Sequence, residues 1–133
     1  MTLANIRDYL KTVAGAQHYY IGRRDGKQDK SLGVYPLKRP GYPVAIGGKE
    51  ATTIGMKPVT ILIHWTANAN ETERAAQQLY DRLLGARDVA AGGQRIFCFK
   101  PLNPEPVDVG TEGDVFEYVL EYEIYYERKD LNA

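Results

Sequence analysis

The stretch VFEYVLEYEIYYER, residues 115–128, limits the fold more than any other part of the chain. Phe116, Tyr118, Leu120, Tyr122, Ile124 and Tyr126 share one parity. Val115, Glu117, Val119, Glu121, Glu123, Tyr125 and Glu127 share the other. Side chains alternate across a strand, so this spacing predicts a long β-strand with one aromatic and aliphatic face and one carboxylate-bearing face. The first face is expected to be core lying under helices.

The rest of the chain supplies the partners. Leu3, Ile6, Leu10 and Val13 recur at helical spacing over residues 2–14, with Thr2 as N-cap and Gly15 as stop. HYYIGRR (18–24) and SLGVYPL (31–37) have strand character around the turn signal Arg24-Asp25-Gly26-Lys27, which predicts a hairpin with a basic tip at 23–30. KRPGYPVAIGGKEATTIGM (38–56) is broken by Pro and Gly and reads as a loop expected to be mobile, with a short strand at Val44–Ile46. KPVTILIHW (57–65) sets Val59, Ile61, Ile63 and Trp65 on one face of a central strand. NETE (70–73) predicts a helix capped by Asn70, with Ala75, Ala76, Leu79, Tyr80 and Leu83 inward and Gly85 at its end. GARDVAAGGQ reads as a flexible connection, RIFCFKPL (95–102) as a strand, and NPEPVDVGTEGD (103–114) as a turn region. In RIFCFKPL, Ile96 and Cys98 alternate against Phe97 and Phe99. The order α-β-β-loop-β-α-β-β implies an α+β fold: one mixed or antiparallel sheet with two α-helices on one face, residues 1–133 forming a single domain.

The 133 residues contain one cysteine, so an intrachain disulfide is excluded, and Cys98 is expected to be a buried, inert thiol. No apolar run is long enough to span a bilayer, and MTLANIRDYLKTV lacks the apolar region of a signal peptide. A cytoplasmic or cytoplasm-assembled protein is expected. The formal net charge is zero, but the charges are sorted. Residues 1–60 carry ten Lys/Arg and four Asp/Glu, whereas residues 101–133 carry two Lys/Arg and nine Asp/Glu. Such sorting either neutralises within one fold or lets a positive face of one copy meet a negative face of the next, a head-to-tail contact that makes rings or filaments.

Catalytic constellations are not evident. His18 and His64 have no partner at metal-ligand spacing, so neither a metal site nor a cofactor is expected, and His64 reads as a structural or interface residue. Glu117, Glu121, Glu123 and Glu127 lack a nucleophile to work with and read as a solvated face rather than as acid/base groups. A nucleic-acid-binding module using the basic hairpin 19–30 is the alternative from another functional class. The element order is similar to the double-stranded-RNA-binding fold, but the acidic first turn NETE would repel phosphate.

Taken in order, GVYPL…IGG (33–48), KPVTILIHWTANANETERAAQQLYDRL (57–83) and PVDVGTEGDVFEYVLEYEIYYER (106–128) resemble the minor capsid / tail-terminator proteins of long-tailed bacteriophages and prophages. Gly110, Glu117 and Tyr126-Glu127-Arg128 match the closing pattern of that family, while Thr111-Glu112-Gly113-Asp114 departs slightly from it. The resemblance implies a non-enzymatic structural protein of the virion, assembled in the bacterial cytoplasm as a hexameric ring. Its partners would be further copies of itself, the major tail-tube protein and a head-neck connector protein. Phage DNA would pass without sequence-specific binding, and no membrane is implied. With the sorted charges, the expected subunit interface pairs Arg23, Arg24, Lys27 and Lys30 with Glu117, Glu121, Glu123 and Glu127 of a neighbouring copy. A carboxylate face lining a DNA channel would keep phosphates from sticking.

Overall fold

The computed structural model describes residues 1–22, 28–39 and 53–130, with residues 129 and 130 described by backbone alone. The elements are α1 (Leu3–Val13), β1 (His18–Ile21), β2 (Ser31–Pro36), β3 (Ile54–His64), α2 (Ala69–Gly85), β4 (Arg87–Ala91), β5 (Gln94–Pro101), β6 (Val107–Glu112) and β7 (Val115–Asp130). The strands form one mixed, strongly curled seven-stranded sheet in the order β1-β2-β3-β7-β5-β4, and β6 also pairs with β7. The α+β architecture read from the sequence holds, with both helices on one face.

The alternation in β7 behaves as its pattern requires. Tyr118, Leu120, Tyr122, Ile124 and Tyr126 are buried in one cluster with Val59, Ile61 and Ile63 of β3. From above, α1 adds Ile6 and Leu10, and α2 adds Ala76, Leu79, Tyr80 and Leu83. Each large aliphatic side chain removed from water here contributes on the order of 1.5–3 kcal/mol. β7 uses both edges. One pairs with β3 from His64↔Glu117 to Ile54↔Glu127. The other takes β6 first and β5 further along.

Pro58 sits inside β3, where a missing N–H would ordinarily break a ladder. Leu37 donates to the Pro58 carbonyl, so that edge of Pro58 faces the end of β2. The absent donor therefore points past the last ladder residue, Pro36, and costs no sheet bond.

Helix α1 starts at Thr2 as expected, with a reciprocal capping box to Asn5. Helix α2 starts two residues earlier than expected. Asn68, not Asn70, is the N-cap and accepts from Glu71 N at 2.9 Å. Thr72, fully buried, fixes this start by donating to Asn68 O at 3.0 Å.

Other expectations are corrected. β1 and β2 pair in parallel, His18↔Ser31 to Ile21↔Val34, so they are not a hairpin. Gln17 N donates to Lys30 O and Gly22 N to Val34 O, which fixes both segments in the same direction. β3 begins at Ile54, inside the expected loop 38–56, of which residues 40–52, with the strand expected at Val44–Ile46, lie outside the described residues. GARDVAAGGQ is a hairpin rather than a connection. β4 returns as β5 through Gly92-Gly93, both at positive φ (58° and 76°), the geometry of a two-residue hairpin turn. NPEPVDVGTEGD likewise contains β6, joined to β7 through Gly113-Asp114 at φ 57° and 69°. In β5 a bulge between Ile96 and Cys98 shifts the parity, so Ile96 and Phe99 both point into the core. Cys98 pairs with Tyr125 on the other face and is only partly buried.

Candidate subunit interface

The carboxylates of β7 stand on the face of the sheet away from the helices, and each meets a partner within the subunit. Glu117 Oε2 lies 2.9 Å from His64 Nδ1. Glu121 accepts from Asn103 Nδ2 at 3.4 Å. Glu127 lies 3.5 Å from Arg95 Nε, whose guanidinium also stacks over the Phe97 ring. Glu123 is the most enclosed, its side chain 9 % exposed. It accepts from Arg39 Nε at 3.0 Å and Tyr125 Oη at 3.0 Å, with Lys100 Nζ at 3.6 Å. Burial alone would raise its pKa. The hydrogen bonds from Arg39 and Tyr125, with the charges of Arg39 and Lys100, outweigh burial and hold the carboxyl below its ordinary value.

Four carboxylates thus stand beside three cations, Arg39, Arg95 and Lys100. The ladder looked bare in the sequence because its partners come from β3, β5 and the segments after β2 and β5. Phosphate repulsion by this face would be weak.

Of the basic residues expected at an interface, Arg23, Arg24 and Lys27 lie outside the described residues. Lys30 is half-exposed, 3.7 Å from Glu71 in the first turn of α2. An exposed pair of this kind contributes about 0–1 kcal/mol and leaves the ammonium available to a neighbour. The parallel pairing of β1 and β2 removes the hairpin on which the nucleic-acid alternative was built.

The more open acidic surface lies on β6, all six of whose residues are exposed. Between residues 101 and 127 there is no Lys or Arg, and Glu105, Asp108, Glu112 and Asp114 cluster on and around this strand. Val107 and Val109 are exposed there too. A groove of about 720 Å³ runs between this arm and α2, lined in part by Glu73, Arg74, Asn103, Glu105 and Tyr118. A smaller pocket of about 210 Å³ lies between the helices beside Trp65. Neither includes Glu117, Glu121, Glu123 or Glu127.

The profile of the family described as "Bacteriophage tail terminator protein" matches residues 3–128. The chain belongs to the bacteriophage tail terminator protein family. No curated protein matches it.

A tail terminator protein is a structural component of the phage tail, and its family is generally non-enzymatic. Membership implies an interaction with the tail tube. No described helix of this terminator is long and apolar enough to cross a membrane.

One constellation was invisible in the sequence. His64, Glu112 and Glu117 offer ligand atoms that all lie within 4.8 Å of one another. Spacing rules find ligands on one helix or loop, whereas these come from the ends of three strands. The usable signal is pairwise: His64 and Glu117 are ladder partners, and Glu112 sits beside them once β6 is recognised as a strand.

Proposed function

We propose that this tail terminator protein assembles as a ring, a hexamer, that caps the head-proximal end of the tail tube and joins it to the head-neck complex. Arg23, Arg24, Lys27 and Lys30 of one copy meet the acid-bearing side of the next: Glu117, Glu121, Glu123 and Glu127 on β7, together with the exposed acids around β6. Phage DNA passes the ring without sequence-specific contact.

The observation that carries this reading is the strand order. Strands β1 and β2, which flank the basic segment in the sequence, lie on one side of β3, and β5, β6 and β7, which carry the acidic span 101–127, lie on the other. The strand order supports reading the charge sorting along the sequence as a polarity across one sheet. A contact between two unlike patches is heterologous and closes into a ring when the rotation per subunit allows. Opposite charges steer the encounter and set its register, over a range of about 8–10 Å in ordinary salt.

The test is electron microscopy of the protein alone and with tail-tube subunits. The wild type is expected to form rings and to limit tube length. The Arg23→Glu/Arg24→Glu double variant is expected to keep its melting temperature and lose the rings. A wild type that leaves tubes of uncontrolled length and forms no rings would defeat the proposal. A monomer in dilute solution without the tube is compatible with it.

A further inference from the structure

We infer that the trough between α1 and α2 beside Trp65 receives the β6 arm of a second copy of this chain. The contact rests on the ring assembly proposed above and specifies two surfaces that meet in it.

The trough consists of two adjoining cavities. The inner one, about 210 Å³, is lined by the buried side chains of Leu32, Ile63 and Leu79 and by the half-buried Trp65, with the exposed Gln78 and Arg82 at its mouth. A cavity of roughly 150 Å³ already holds a benzene ring, so an aliphatic side chain fits here. The outer cavity, about 470 Å³, shares Trp65, Ala75 and Gln78 with the inner one and adds Lys30 and Arg74. Among the lining residues, Lys30, Arg74 and Arg82 stand against a single acid, Glu71, so the trough is net positive. Arg82 donates from one nitrogen to Val13 O, and the remaining donors of its guanidinium can serve a partner.

The arm offers the matching surface. β6 pairs with β7, and all six of its residues are exposed. Val109, 50 % exposed, is the most exposed large hydrophobic among the described residues, and Val107 is exposed as well. Residues 103–114 carry Glu105, Asp108, Glu112 and Asp114 and no Lys or Arg. Valines on an acidic strand complement a trough with an apolar floor and a cationic rim. Tryptophan and arginine are also the residue types on which binding energy concentrates at interfaces.

Geometry keeps an arm out of its own trough. Glu73 and Gln77 of α2 line the groove beside the arm, whereas Ala75, Gln78 and Arg82 line the trough. At about 3.6 residues per turn, these two sets lie on opposite flanks of α2. The arm of one copy therefore reaches the trough of the next, a head-to-tail contact between unlike surfaces.

The test is crosslinking of the full chain in a Cys98→Ser background. Val109→Cys and Gln78→Cys are introduced separately and together, and a short bismaleimide is the probe. The two single variants mixed are expected to give a crosslinked dimer, each alone none, and the double variant a ladder of oligomers. Val109→Ser is expected to keep its Tm within about 2 °C and to weaken self-association at least about fivefold in sedimentation. Rings in electron micrographs without a crosslink between positions 78 and 109 overturn the arm contact and leave the ring reading standing. Crosslinked open chains that never close support the arm contact and overturn the ring. Equal crosslinking in either single variant alone, capture of a tail-tube subunit by position 78 in place of a second copy, or undiminished association in Val109→Ser also overturns the arm contact. No assembly of the wild type, alone or with tail-tube subunits, overturns both.

Discussion

Replacing Tyr122 by Phe is expected to stabilise this protein, although the residue is at the centre of the core. Tyr122 is fully buried, with its ring edge-on to Phe99 at 5.9 Å and tilted against Tyr80 at 6.4 Å. Its hydroxyl has no hydrogen-bond partner among the described residues. A buried, unsatisfied hydroxyl costs about 1–3 kcal/mol relative to water. Removing the oxygen leaves a void of roughly 10–15 Å³, worth only about 0.3 kcal/mol at the usual cost per volume. The first effect wins, so Tyr122→Phe should gain about 1 kcal/mol, or roughly 3–5 °C in Tm for a domain of this size. Tyr122→Ala, which removes the ring, should lose about 3–5 kcal/mol.

The pH dependence carries the same signature. Burial holds the Tyr122 phenol protonated well above its ordinary pKa of 10.0. The folded state keeps this proton after the unfolded state has lost it. The stabilisation is complete below about pH 10 and declines as the pH rises further. Tyr122→Phe removes that decline. Urea denaturation at pH 7 and pH 10.5, with unchanged m, measures both effects. A loss of about 1 kcal/mol at pH 7 would refute the reasoning, because it would mean that the hydroxyl is satisfied.

Three further perturbations separate local causes. Glu123→Gln should cost about 1–3 kcal/mol at pH 7 by weakening the charge-assisted bond from Arg39. The folded carboxyl titrates below its ordinary value of 4.5, so this stabilisation is present above about pH 4.5 and lost as the pH falls through the folded pKa. The gap between wild type and variant should therefore shrink between denaturation curves at pH 7 and pH 3. Gly92 and Gly113 have nearly equal φ, 58° and 57°, but only a Cβ at Gly92 would strike Asn5, at 2.3 Å. Alanine at either position carries about 1–2 kcal/mol of left-handed strain. Gly92→Ala should cost about 0.5–2 kcal/mol more by displacing Asn5 from the α1 capping box. Equal losses in thermal melts would contradict that coupling. Asn68→Ala should cost about 1 kcal/mol and Asn70→Ala less than about 0.5, and the reverse order would restore the cap to Asn70.

Both helices, the central strand β3 and the two-faced β7 were legible because each carries a long periodic pattern that burial enforces. Ile6 and Leu10, or Tyr118 through Tyr126, can satisfy only one geometry. What was missed has short or broken patterns. β4 and β6 are polar, five and six residues long, and ended by glycines, so their composition is that of loops. Their strand state comes from the ladders of β5 and β7. The parallel direction of β1 and β2 is likewise set by distant bonds, such as Lys30 N to Trp65 O. In β5 one bulge moved Phe99 inward and Cys98 outward, which no alternation rule anticipates. For the candidate interface, the four carboxylates do share one face of β7, but the face expected to be solvated is a paired one, with Glu123 buried. Its partners Arg39, Arg95, Lys100, His64 and Asn103 lie 18–84 positions away and are supplied by the fold.

The shared use of β7 also dictates an order of events during synthesis. β1, β2 and β3 form one half of the sheet, β4, β5 and β6 supply the other, and among the described strands only β7 pairs with both. Ribosomes deliver β7 after every other described element. Until then β3 has no neighbour on one side, and β6 has none at all, so the nascent chain carries a bare hydrophobic strand edge. Folding must wait for contacts between residues more than sixty apart, such as Ile54 with Glu127, which places this chain among the slow, high-contact-order folders. A ribosome stalled before residue 115 would leave a fragment with two unjoined half-sheets and a strong tendency to aggregate.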